Sequence, residues 1–155
     1  MKRFVAVALA GAAFALLIGP RAPLGGFWRP AVEAPTPQGG VLAGFVAEGF
    51  AEALAFGIGV AILLFGRSWF ASRAATSARG TTAWLATVWL FASWMPHAAL
   101  HLHIGLRPEQ LLAVEWIFHV GAVVALAALL WALASNTRPA AERDGVRPAS
   151  IGGSR

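Results

Sequence analysis

The chain contains no cysteine, which excludes disulfides and thiolate metal ligands. It is also poor in charge. Of its 155 residues, 12% are charged and 58% are apolar, whereas soluble domains hold about 25% charged and about 45–50% apolar residues. Its glycines are scattered and form no phosphate-binding loop, which removes the commonest nucleotide site. No internal repeat is found, so a stacked-repeat architecture is excluded as well. What is left is enough sequence for one domain, too apolar for an ordinary domain in water.

Apolar runs of about 20 residues read as transmembrane helices. Four are present, at about 3–19, 41–66, 81–104 and 110–134. Helices satisfy their own backbone polar groups in lipid. The expected fold is therefore all-α: a polytopic four-helix transmembrane bundle over residues 1–134. A basic, proline- and glycine-containing segment at 135–155 is expected to be a disordered cytoplasmic tail near anionic lipid. The first run begins like a signal peptide, with Lys2 and Arg3 ahead of apolar residues. Pro23 directly after Ala22 is a poor cleavage context, so the run reads as an uncleaved first span. Its Ala6, Ala10 and Ala13 recur at helical spacing and suggest its packing face. In the second run Gly49, Ala53 and Gly57 suggest another.

The isoelectric point near 11.6 invites a nucleic-acid partner, but the basic residues follow membrane topology instead. With the N-terminus inside, nine of them lie on the cytoplasmic side: Lys2, Arg3, Arg67, Arg73, Arg79, Arg138, Arg143, Arg147 and Arg155. Only Arg21, Arg29 and Arg107, three residues, lie outside. This positive-inside bias puts both termini in the cytoplasm. It makes the lipid bilayer the expected partner, with no nucleic acid, in a multi-pass protein of a bacterial-type plasma membrane.

Pro20 to Gly40 holds five prolines, so it reads as an external connector without a long helix, rather than as a cap. Thr81 or Thr82 is a candidate cap for the third helix. Pro96 removes a backbone donor from the third span and should open or kink it near Ala92. Pro108 and Glu109 suit the first turn of the last helix.

The chemistry lies in ionisable residues within these apolar runs, where each costs about 2.5–3.5 kcal/mol on insertion scales and normally finds a partner. Glu48 and Glu52 stand four apart in the second span, Ser93, His97 and His101 share a stripe in the third, and Glu115 and His119 stand four apart in the fourth. His103 faces elsewhere, about 200° from His101. Counted from the outer helix ends at 1.5 Å per residue, all six acids and imidazoles lie within about 16 Å of the outer surface. The expectation is one intramembrane site of Glu48, Glu52, His97, His101, Glu115 and His119. Its nitrogen and oxygen donors suit a divalent transition metal such as zinc, iron, manganese or copper, in a redox or hydrolytic role.

The donor set resembles the carboxylate–histidine sites of ferritin-like di-metal bundles, in which glutamates and histidines from several helices point inward. That resemblance would imply two metals. The spacing here is E-x-x-x-H rather than E-x-x-H, and the first helix contributes no ligand, so family membership does not follow. The main alternative is a structural polar network that fixes helix register. Haem b held by His97 and His119, or a proton or ion path, are further alternatives. Haem fits poorly beside the carboxylates, and a path would end near the midplane.

The charge pattern makes a topology prediction. A fluorescent reporter fused after Arg155 should fold in the cytoplasm, and alkaline phosphatase inserted at Leu106 should be active outside. The reverse pattern would invert the assignment.

Overall fold

The computed structural model describes residues 1–34 and 36–134; the 135–155 segment expected to be a disordered tail lies outside the described residues. Every regular element described is helical. The first apolar run forms α1 (Lys2–Ile18) and the second forms α2 (Gly39–Phe65). A short α3 (Arg67–Ala71) leads to α4 (Ser77–Ala92) and α5 (Trp94–Ile104). The last run comprises α6 (Pro108–Glu115), a π-helical turn (Trp116–Val120) and α7 (Gly121–Ala134). Two helices are long and apolar enough to cross a membrane: Gly39–Phe65 and the continuous Pro108–Ala134.

Local signals set most boundaries. Pro108 opens α6 with Glu109 in its first turn, where a missing donor costs nothing and a carboxylate meets the helix dipole. Thr76 caps α4 by accepting the Arg79 N–H at 3.3 Å, so this helix starts a turn before the expected Thr81 or Thr82. The third run is broken at Ser93, between α4 and α5. Pro96 has no N–H to offer the carbonyl of Ala92, and the ladder resumes with the His97 N–H donating to the Ser93 carbonyl at 3.1 Å.

The helices stand in an antiparallel row. α1 packs along α2, α2 against α4 and α5, α4 against α7, and α5 against α6. The pairings that fix direction are Gly11 on Gly57 with Ala15 near Ala53, Gly59 on Ala92 with Trp84 on Ile62, and Trp89 on Gly121 with Arg79 on Trp131. One end of the row carries Lys2, Arg3, α3 and the start of α4. There Arg73 lies 4.2 Å over the Trp69 ring and Arg79 lies 5.0 Å over that of Trp131. The other end carries the 19–38 segment and the α5–α6 turn.

Small side chains fill the interior. The buried apolar residues are mostly alanines, among them Ala8, Ala12, Ala15, Ala53, Ala61 and Ala83. No large side chain is fully buried among the described residues, while Phe14, Phe45, Phe50, Trp69, Trp116 and Trp131 are each more than half exposed. Small residues let helix backbones approach closely. A Cβ on Gly57 would fall 2.0 Å from the Ala8 carbonyl oxygen, so only glycine fits there. The packing face of α1 is Ala8, Ala12 and Ala15, not the expected Ala6, Ala10 and Ala13, which are exposed. Alanines surround this helix on all sides, so spacing alone does not mark its face. The contact with Gly57 does.

On α2 the close-packed ridge runs through Ala53, Gly57 and Ala61. Gly49, expected in the same ridge, has nothing within 4 Å of where its Cβ would stand. α1 and α2 have diverged by that level. Gly57→Val should therefore cost about 1–3 kcal/mol through overpacking, read as a lower melting temperature in detergent. Gly49→Ala should be neutral or stabilising, by up to about 1 kcal/mol of helix propensity. Equal effects of the two substitutions would contradict this packing.

Candidate functional site

α5 and the α6–π segment bring four of the six expected residues into contact. The Nε2 atoms of His97 and His101 lie 2.8 Å apart, and the two rings are nearly perpendicular, at 81°. His101 Nε2 is 3.4 Å from one carboxylate oxygen of Glu115. The other oxygen is 2.5 Å from Nδ1 of His119. The His119 ring in turn stands edge-on to His97, with centroids 4.8 Å apart. His97 thus touches both other imidazoles. It is buried, whereas His101 and Glu115 are partly exposed and His119 is exposed.

Two helix irregularities make this contact. The break at Ser93 starts a new helix four residues before His97, and His97 and His101 then share one face of α5 at a spacing of four. Opposite them, the π-helical turn at 116–120 widens the last helix where His119 projects. π turns close i→i+5 hydrogen bonds and occur often at functional sites. The turn ends at Gly121, where a Cβ would meet the Trp89 indole at 2.8 Å. Phe118, inside the turn, stacks on Trp89 with centroids 6.0 Å apart and lies 5.1 Å from the His97 ring. Sequence reasoning missed Phe118 as a wall of the site. Its one signal is its place three residues after Glu115, on the same helix face.

The α2 carboxylates are placed differently. Glu48 and Glu52 have no hydrogen bond or ion pair with a histidine among the described residues. They line a groove of about 770 Å³ between α1, α2 and α5, whose facing wall includes His97 and His101. The groove opens where Gly49 leaves space between α1 and α2, and the segment from Gly19 to Pro23 closes one end. Met95 is buried with Ala15 and Ala53 at its floor. The histidines therefore stand between two acidic surfaces: Glu115 in contact, and Glu48 with Glu52 across the groove.

The proline-rich segment is more than a connector. A 3-10 turn at Gly25–Trp28 packs on α1 and α5. The Ala31 N–H donates to the Leu102 carbonyl at 2.9 Å. His103, turned away from the other histidines as expected, stands 3.0 Å by Nδ1 from the Arg29 carbonyl and stacks on Phe27. This segment fastens the end of α5 and with it His101.

Among the described residues, no group of three His, Asp or Glu side chains stands arranged to hold a metal ion. The donor chemistry nevertheless suits one. Two imidazole nitrogens on one tetrahedral zinc stand about 3.3 Å apart, so His97 and His101 would have to separate by about half an ångström from their hydrogen-bonded 2.8 Å. A small turn of either ring supplies that.

Fold and site together define an all-helical protein with two helices able to cross a membrane and an imidazole–carboxylate contact toward one end. No protein-family model, no characterised protein and no solved structure matches the chain.

Glu115 is the acceptor that both His101 and His119 face. Glu115→Ala should destabilise the protein by about 1–3 kcal/mol, the cost of leaving polar partners unsatisfied, and Glu115→Gln should cost less. An unchanged melting temperature for Glu115→Ala would show that these contacts carry no stability.

Proposed function

We propose that this is a multi-pass membrane protein that binds a divalent transition metal through His97, His101 and His119. Glu115 holds His119 by its Nδ1, which leaves Nε2 to face the metal; carboxylate–histidine pairs of this kind orient metal-binding imidazoles. Glu48 and Glu52 lie across the groove, where they complete or balance the charge of the site. The observation that carries the reading is that one imidazole touches two others beside a single carboxylate. Three neutral imidazoles carry three N–H groups and three ring-nitrogen lone pairs. Glu115, which only accepts, takes up N–H groups and leaves more lone pairs than N–H groups among the three rings, and a metal ion is a partner that uses them. Nitrogen and oxygen donors suit zinc, iron, manganese or copper(II). When bound, the metal supplies Lewis acidity or redox chemistry.

The membrane part of the proposal gives α1, α2, α4 with α5, and α6 with α7 one crossing each, with both termini cytoplasmic. The inverted burial supports it. Large apolar side chains cover the outside and alanines fill the interior, which suits lipid and would expose extensive apolar patches to water. Arg67, Arg73 and Arg79 gather at the end opposite the histidines, as a cytoplasmic end requires.

A second reading has its own support. The His97–His101 and His119–Glu115 contacts each pair a donor with an acceptor, as a polar network locking α5 to the last helix would. A haem suits the geometry less, because the His97 and His119 rings are in contact, with no slot between them for a macrocycle.

Metal analysis of the detergent-purified protein separates the two main readings. The metal reading expects about one equivalent of zinc, iron, manganese or copper, at least tenfold less in His97→Ala and His119→Ala, with helical content unchanged. Wild-type protein that stays metal-free in the presence of each ion would leave the structural network as the role of these residues.

A further inference from the structure

A second groove, of about 400 Å³, lies between α4 and the last helix. Its size falls within the range of about 300–1,000 Å³ typical of small-molecule sites. Leu85, Ile117 and Val124 give it apolar walls, and Thr82 brings its one hydroxyl. Trp89 and Gly121 line it as well. Among the described residues, the indole nitrogen of Trp89 is the one buried side-chain nitrogen or oxygen without a hydrogen-bond partner. Buried polar groups are nearly always paired, and an exception calls for a partner or a role. In lipid no bulk water supplies one, and a single water in this groove would find too few polar groups to hold it. The nitrogen stands against Gly121, where a Cβ would fall 3.1 Å from it. Gly121 has no side chain there, so a small swing of the indole brings its N–H to the groove.

We infer that this groove binds a lipid-soluble quinone, whose carbonyl oxygen accepts the Trp89 N–H while its apolar substituent lies along Leu85, Ile117 and Val124. An indole N–H only donates, so the occupant is an acceptor. A bond to a donor otherwise left unsatisfied gains more than one that merely replaces water. Depth narrows the class further. Gly121 is the central residue of the continuous Pro108–Ala134 helix, about 20 Å from either end at 1.5 Å per residue. The hydrocarbon core is about 30 Å thick, so the donor sits near its middle, about 15 Å from the interface where phospholipid ester carbonyls lie. A fatty acid keeps its carboxylate at the same interface, because charge is costly at the centre. A quinone carries uncharged carbonyls on an apolar ring and dissolves in the hydrocarbon layer itself. The inference rests on the membrane part of the proposed function and not on its metal part, since no histidine or carboxylate lines this groove.

The test uses the full chain in nanodiscs of neutral lipid, with radiolabelled decyl-benzoquinone as the probe and empty discs as background. Decylbenzene, which keeps the ring and tail but has no carbonyl, is the competitor. Saturable binding of one quinone per chain is expected, with decylbenzene competing at least tenfold more weakly. Trp89→Phe keeps an aromatic ring against Phe118 and removes the N–H. It should weaken quinone binding at least tenfold, so that the quinone binds no better than decylbenzene. Val124→Trp fills the groove from an exposed position and should abolish binding of both, with helical content unchanged. His119→Ala should bind the quinone as wild type does, whatever its metal content. Non-saturable uptake, equal competition by decylbenzene, or an unaltered preference for the quinone in Trp89→Phe would overturn the inference and leave the membrane reading standing. Protein that alkaline carbonate extracts from membranes would overturn the membrane reading, and this inference with it.

Discussion

The structure depends on two interruptions of helical regularity that face each other. A helix in an apolar setting satisfies its own backbone and gains nothing locally from breaking that pattern. Here one helix breaks at Ser93, where Pro96 withholds a donor, and its neighbour widens into a π turn at Trp116–Val120. The first re-aims His97 and His101, the second His119, and Glu115 stands at the junction. Phe118, inside the turn, stacks on Trp89 of α4, one turn before the break.

Small residues carry the rest. Gly11 on Gly57 brings α1 and α2 nearly into backbone contact. The close contact includes Ala53 and Gly57; at Gly49 nothing stands within 4 Å of a Cβ position, beside the groove that Glu48 and Glu52 line. The proline-rich segment then closes the splayed end and fixes α5 through Leu102 and His103. The two acidic surfaces on either side of the histidines follow from this: one belongs to the contact between α5 and α6, the other to the gap between α1 and α2.

Much of the fold was legible in the residues. Helices occupy the four apolar stretches, and Pro96 and Pro108 act where their missing N–H groups predict. The i, i+4 spacing found His97 with His101 and Glu115 with His119, because helical periodicity ties such pairs to one face. Other features were not legible. Alanine on every side of α1 hides its packing face, so Ala6, Ala10 and Ala13 looked as good as Ala8, Ala12 and Ala15. A π turn has no sequence signature in Trp-Ile-Phe-His-Val, and the fit of Gly121 against Trp89 just past it is a tertiary contact that spacing does not contain. Proline density marked residues 20–40 as irregular without showing that irregular chain can dock. Spacing placed Glu48 and Glu52 at the depth of the histidines. Which side of α5 they approach depends on the angle between helices, which spacing does not contain.

The central claim is that imidazoles from α5 and from the π turn converge on one ion. X-ray absorption at the zinc edge of protein loaded with one equivalent of zinc addresses it directly. Three imidazole nitrogens at about 2.0–2.1 Å, with the outer-shell scattering of intact rings, are the predicted result. A first shell of oxygens alone, with no imidazole outer shell, would contradict the account.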